Sequence, residues 1–167
     1  MIRHLAIFGL VAGPALAQPE QIAKYGSLLE QCYTEAQGAE AKAQCKGAMS
    51  QACIVGEDGG ETTLGMTGCT HAEMEVWDKF LNQEYQTTMA VYRKMDSDEA
   101  IYFPAYAMRV DSLRKTQIAW IAFRDAECAL EYARWGSGSM RHIAGASCLM
   151  EMTADRTIEL LQMREEF

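Results

Sequence analysis

The sequence predicts an all-α fold: a disulfide-stapled helical bundle, with three long helices in residues 69–167 and an N-terminal helical hairpin before them. Three observations lead there. Apolar residues recur at steps of three and four through most of the chain, with no useful run of strand-like alternation. Only three prolines interrupt 167 residues. Six cysteines, an even number, supply the staples. With 49% apolar and 23% charged residues, the chain is long enough and apolar enough to bury a core and is not a disordered segment.

Residues 1–17 read as a secretory signal peptide. Arg3 and His4 give a short basic start, Leu5 to Gly13 is apolar but too short to span a bilayer, and Ala15-Leu16-Ala17 is an A-x-A cleavage site. Gln18 follows where a lipoprotein would carry cysteine. The expected location is periplasmic or secreted, after cleavage following Ala17, with no stable membrane insertion. Loss of Arg3 takes the formal charge from −8 to −9. That acidity argues against nucleic acid as a partner and favours a basic one.

Residues 18–68 form the first expected unit, a helical hairpin followed by a Gly-rich loop. Ile22, Tyr25, Leu28, Leu29, Cys32 and Tyr33 mark a helix over 21–36, and Ala39–Cys53 is a second helical candidate beyond Gly38. Gly56, Gly59, Gly60, Gly65 and Gly68 then punctuate a loop that also carries Glu57, Asp58 and Glu61. An antiparallel hairpin brings Cys32 and Cys45 level, and Cys53 and Cys69 flank the loop they would close. The crossed pairing, Cys32–Cys53 with Cys45–Cys69, stays open.

Residues 69–167 form the second unit. Thr70 caps its first helix in this reading, with Glu73 as capping-box partner. Met74, Trp77, Leu81, Tyr85, Met89, Tyr92 and Met95 follow as one amphipathic stripe. Asp96-Ser97-Asp98-Glu99 ends it as an acidic turn. A second helix runs from about Pro104 to Trp135, Gly136–Ser139 breaks it, and the last helix carries Met140, Ile143, Cys148, Met152, Arg156, Leu160 and Met163. Cys128 and Cys148 each lie about ten residues from that break, so two antiparallel helices rising ~1.5 Å per residue place them at one height.

Polar residues stand where a plain bundle would carry leucine. Asp78, Asn82, Tyr85, Gln117, Trp120, Arg124, Asp125 and Arg156 read as a structural network joining the three helices. Buried Arg124 and Arg156 would need Asp78, Asp125 or Glu127 as partners.

No cysteines have zinc-ligand spacing, no Gly-x-Ser-x-Gly or His-Glu-x-x-His occurs, and His71 and His142 are the only histidines after residue 17. The chain reads as a binding protein and not an enzyme, with no catalytic residue, no metal and no cofactor assigned. The methionines allow one other reading, copper(I) binding through thioethers, with Met150 and Met152 as the close pair. Against it, Met74, Met89 and Met95 fall on a helical core stripe.

The ordered set Trp77-Asp78, Leu81-Asn82, Tyr85, then Gln117, Ala119-Trp120-Ile121, Phe123-Arg124-Asp125, Cys128, then Gly136-Ser137, Cys148, Met152-Thr153 and Arg156 resembles the LprI-type lysozyme-inhibitor domain. The resemblance covers about residues 69–163. It implies an exported helical domain and inhibition of a basic animal-type lysozyme. The partner-binding candidates are the two acidic segments, Glu57, Asp58 and Glu61 in one and Asp96, Asp98 and Glu99 in the other. The alternative is a periplasmic envelope scaffold that does not inhibit lysozyme.

Export and oxidation have a direct check. Protein purified from the envelope is expected to begin at Gln18 and to carry no free thiol. Intact mass after alkylation without reductant reads both, and two or more alkylated cysteines would remove the disulfide framework.

Overall fold

The computed structural model describes residues 19–165, so the signal-peptide reading lies outside the described residues. Among them the chain is helical without strands: α1 (Pro19–Glu35), α2 (Gly38–Ala43), α3 (Ala48–Gly56), α4 (Thr63–Ala100), a 3₁₀ turn (Pro104–Tyr106), α5 (Arg109–Arg134) and α6 (Met140–Glu165). Three disulfides staple it: Cys32–Cys45, Cys53–Cys69 and Cys128–Cys148, with Cα–Cα separations of 5.8, 5.6 and 5.4 Å. The uncrossed pairing is therefore the one formed.

Helix α4 is the spine. It packs along α6 and also meets α1, α3 and α5. Its apolar stripe faces inward as its period requires: Val76, Trp77, Phe80, Leu81 and Met89 are buried. Tyr33 of α1 stacks on Phe80 at 4.3 Å and meets the edge of Trp77 at 5.6 Å. Leu29, Met49 and Ala154 complete the larger core, while Leu81, Met89, Leu113 and Leu160 form a second one towards the far end.

Helix α6 approaches α4 closely because its inner face is small. Ala146, Thr153, Ala154 and Thr157 are buried there. The threonine hydroxyls find acceptors within the pair of helices. Thr157 donates to the Thr153 carbonyl at 2.8 Å, and Thr88 lies 3.0 Å from the Leu160 carbonyl.

Four local expectations are corrected. The second N-terminal helix is not continuous, because a turn at Gln44–Gly47 divides α2 from α3 and Gly47 sits at φ 86°. The first long helix begins at Thr63, not Thr70. Thr62 is its cap, accepting from the Gly65 amide at 3.1 Å. Gly65 is there for closeness, since a Cβ at that position would stand 2.2 Å from the Gly59 carbonyl oxygen. The same helix runs through Asp96–Glu99 to Ala100 instead of ending in an acidic turn. Pro104 opens the short 3₁₀ turn, and α5 starts five residues later at Arg109.

Glu73 has a different role from the capping partner expected. It is fully buried on α4 and reaches across to the start of α3. Its carboxyl oxygens accept from the amides of Gly47 at 2.7 Å and Ser50 at 2.6 Å, and from the Trp77 indole at 3.0 Å. The Thr70 side chain is buried in mid-helix.

Glu73→Ala would leave two buried donors and one partly buried donor without an acceptor. It is expected to lower stability by about 3–5 kcal/mol, and Glu73→Gln by less, because the amide oxygen still accepts. Urea unfolding of both variants checks this. Equal midpoints for Glu73→Ala and the native protein would show the group to be dispensable.

Candidate functional site

The two acidic segments lie at opposite ends of α4, one just before its start and the other in its last turns. The first is the Glu57–Thr62 connection between α3 and α4. Its ends are joined by Cys53–Cys69, and its turns close internally, with Gly60 N–H donating to the Glu57 carbonyl at 2.9 Å and Thr62 N–H to that of Gly59 at 3.0 Å. Gly60 is buried against the Ile54 carbonyl, where a Cβ would stand 2.1 Å away. Glu57 is tied to α1, accepting from Lys24 Nζ at 2.6 Å and Tyr25 Oη at 2.9 Å. Those two bonds, Lys24 first, hold its carboxyl below the usual range. Asp58 and Glu61 are exposed beside it. Val55 and Leu64 flank the loop, 81% and 80% exposed.

The second segment is helical and largely committed to its own fold. Asp96 accepts from the backbone amides of Arg109 at 3.1 Å and Val110 at 2.9 Å, and so caps the start of α5. The Arg109 guanidinium spans Asp96 and Glu99 at 3.1 and 3.2 Å. Asp98 pairs with Lys94 at 2.8 Å, one turn earlier. Burial pushes the Asp96 pKa upward, but the two amides and Arg109 outweigh it and hold the group below its ordinary value.

The polar residues expected to form a network come together only in part. Asn82 donates to the Asp78 carboxylate at 3.0 Å on one helix. Arg156 is buried and donates to Gln117 at 3.0 Å across to α5. Its acidic partner is Glu159, one turn on at 2.7 Å, and not Asp78, Asp125 or Glu127. This follows from position: Glu159 rises beside Arg156 on the same helix, at the edge of the buried face. Trp120 carries the guanidinium groups of Arg124 and Arg156 at 5.1 and 5.9 Å from its ring centre. Arg124 is largely covered: it pairs with its exposed neighbour Asp125 at 2.8 Å and reaches the buried Thr153 hydroxyl of α6 at 3.4 Å. A groove between α4 and α5 is lined by Asp78, Asn82, Tyr85, Gln117, Ile121 and Arg124.

Met150 is buried in the main core, and the Met152 thioether lies 3.7 and 3.8 Å from the sulfurs of Cys128 and Cys148. Both therefore pack rather than present a pair of soft ligands to solvent. Among the described residues no three His, Cys, Asp or Glu side chains group as metal ligands. None of the described helices is long and apolar enough to cross a membrane. His71 is half-buried in a groove between α4, α5 and α6, where burial lowers its pKa, while His142 is exposed on the rim beside Tyr132.

Two features escaped the sequence reading. One is the tethering of Glu57 by Lys24 and Tyr25, which spans 33 and 32 residues. The other is an exposed apolar segment between α4 and α5, Ile101 to Met108, whose residues follow the acidic stretch directly. An unbroken uncharged run of that kind was the available signal.

Comparison with known proteins places these features in a family context. The family model described as "Lysozyme inhibitor LprI" matches residues 53–160. An uncharacterised protein of Rhizobium meliloti (strain 1021) is 30% identical over 139 residues, covering 83% of this chain and 91% of that relative. No solved structure gives a significant match.

The Asp96 cap has a pH signature. A depressed carboxylate pKa contributes stability that is fully present above the unfolded value, about 4, and is lost as pH falls through the folded one. Asp96→Asn is expected to cost about 1 kcal/mol at pH 7, as for a weakened helix cap. The gap to the native protein should narrow below about pH 4. Thermal or urea unfolding across pH 2–7 measures it, and a gap that widened on acidification would contradict the assignment.

Proposed function

The chain belongs to the lysozyme inhibitor LprI family, and from that premise we propose that it is an exported binding protein that inhibits a basic animal-type lysozyme through its 57–62 loop. The observation that carries the proposal is the loop itself. It is acidic, closed by a disulfide and tied down by Lys24 and Tyr25. A segment ordered before binding loses little conformational freedom on docking, so more of its contact energy appears as affinity. Asp58 and Glu61 offer exposed carboxylates, and Val55 and Leu64 offer apolar area beside them. Aliphatic contact beside directed charge suits a cleft that is basic at its rim.

The charge of the whole chain supports the same reading. At −9 without the first 17 residues, the protein would draw a cationic enzyme towards it over a distance of about one Debye length, ~8 Å at physiological ionic strength. An oxidising compartment is where three disulfides persist and where lysozyme is met. The Asp96–Glu99 segment is the weaker candidate, because engaging a partner there would mean releasing Arg109 and Lys94.

The test is lysis of bacterial cell walls by an animal-type lysozyme, with the folded protein in excess. Inhibition is expected at low salt and should weaken as salt rises. Neutralising the loop with Asp58→Asn and Glu61→Gln together is expected to weaken it by about tenfold, while the same change at Asp111 and Asp125 should have much less effect. Full lysis at every concentration would overturn the inhibitor reading and leave the envelope-scaffold role.

A further inference from the structure

The segment joining α4 to α5 is a surface of a different kind. Residues 101–108, Ile-Tyr-Phe-Pro-Ala-Tyr-Ala-Met, contain no charged side chain. Ile101, Tyr102, Phe103, Tyr106 and Met108 are each 57–78% exposed. Five large apolar side chains within eight residues exceed the scatter of single exposed hydrophobics that a soluble surface normally shows. Phe103 and Tyr106 meet edge to face, with ring centres 6.4 Å apart, so these two rings already face each other at the tip.

We propose that this tip is a contact for a bilayer surface with neutral, zwitterionic headgroups, seating the protein end-on at the lipid interface. Three observations choose that occupant. The first is the backbone. Tyr102 and Phe103 amides donate to the Glu99 carbonyl, Tyr106 to Phe103, Ala107 to Pro104 and Met108 to Tyr106, while Pro104 has no amide hydrogen. Most of the tip's amide donors are thus already satisfied, which lowers the cost of taking its backbone into an apolar layer.

The second is charge. The acids behind the tip are all engaged in ion pairs, three carboxylates against two cations: Asp96 and Glu99 share Arg109, and Asp98 holds Lys94. An uncharged face rich in tyrosine and phenylalanine suits the headgroup boundary, where aromatic rings with a polar edge collect. The acidity of the chain as a whole disfavours anionic lipid instead. The third is area. At roughly 200 Å² per large side chain, the exposed part of five comes to about 600–700 Å². That falls short of the ~800 Å² each partner contributes to a standard protein interface, but shallow entry of 5–10 Å into a bilayer needs no matching partner surface.

The geometry has a consequence for the other end. Helix α4 has 38 residues and a length of about 57 Å. A protein seated on its 101–108 tip would hold the 57–62 loop far from the lipid and towards the surrounding fluid. This contact is peripheral and does not depend on the lysozyme reading.

The experiment is sedimentation of the full mature chain with phosphatidylcholine vesicles at 50 and 500 mM salt. Binding is expected, with little change between the two salts. Tyr102→Ser, Phe103→Ser and Tyr106→Ser combined should lower the partition coefficient at least tenfold while leaving the circular dichroism spectrum unchanged. Val55→Ser with Leu64→Ser, at the opposite end, should leave binding intact. Absence of vesicle binding, equal loss in both variants, or binding abolished by salt would overturn the proposal. So would a native dimer that the tip variant converts to monomer, which would make the tip a self-association surface.

Discussion

The structure turns on one buried group, the carboxyl of Glu73. It lies on the spine helix but satisfies two amides at the start of α3, along with the indole of Trp77. A polar side chain taken wholly out of water costs free energy unless its bonds are replaced, and here three donors replace them. The first amides of a helix have no partner within it, and its N-terminal end carries partial positive charge, so an acidic side chain from a neighbour serves them well. This fixes α3 against α4 in position and in rotation. Cys53 on α3 then stands beside Cys69 on α4, and the chain between them has little freedom left. The closed acidic loop follows from the buried bond.

Helix α5 shows the complementary case. Only Leu113, Gln117 and Cys128 along its 26 residues are buried, so apolar packing alone holds it weakly. It is clamped near both ends instead. Asp96 caps its first turn and engages Arg109, and the Cys128–Cys148 bridge binds its last third to α6. Closing that loop contributes roughly 3 kcal/mol by constraining the unfolded chain. Between the clamps, Trp120 meets two guanidinium groups, and Gln117 answers the buried Arg156. The polar residues expected to act as one network therefore act as separate short links: Arg156–Gln117 and Arg124–Thr153 cross between α5 and α6, while Asp78–Asn82, Arg124–Asp125 and Arg156–Glu159 each stay within one helix.

What could be read in the sequence was what repeats or mirrors locally. The stripe through Trp77, Leu81 and Met89 shows because a helix returns every 3.6 residues, and the Cys128–Cys148 pairing shows because a hairpin is symmetrical about its turn. What could not be read depended on distant partners. Gly65 looks like a helix breaker until the Gly59 carbonyl is seen against it. Glu73 looks like a local cap because its true partners lie 23 and 26 residues back. Asp96 looks like the end of one helix but caps the beginning of the next. Glu57 looks like any solvated turn residue until Lys24 and Tyr25 reach it. In the loop, the acidic residues were legible and the rigidity was not.

That distinction also separates the two acidic segments as partners for a cationic protein. A carboxylate that already holds a lysine or an arginine must give up that bond before it can meet another, so its net contribution is the difference between two similar interactions. Asp96, Asp98 and Glu99 are in that position, and Asp96 would in addition release two backbone amides at the start of α5. Asp58 and Glu61 hold no ion-pair partner among the described residues. Glu57 stands between the cases: its bond to Lys24 is exposed, and its bond to Tyr25 anchors the loop, so its value lies in holding its neighbours in place. A binding loop needs both kinds of acid, one spent on its own geometry and others left free.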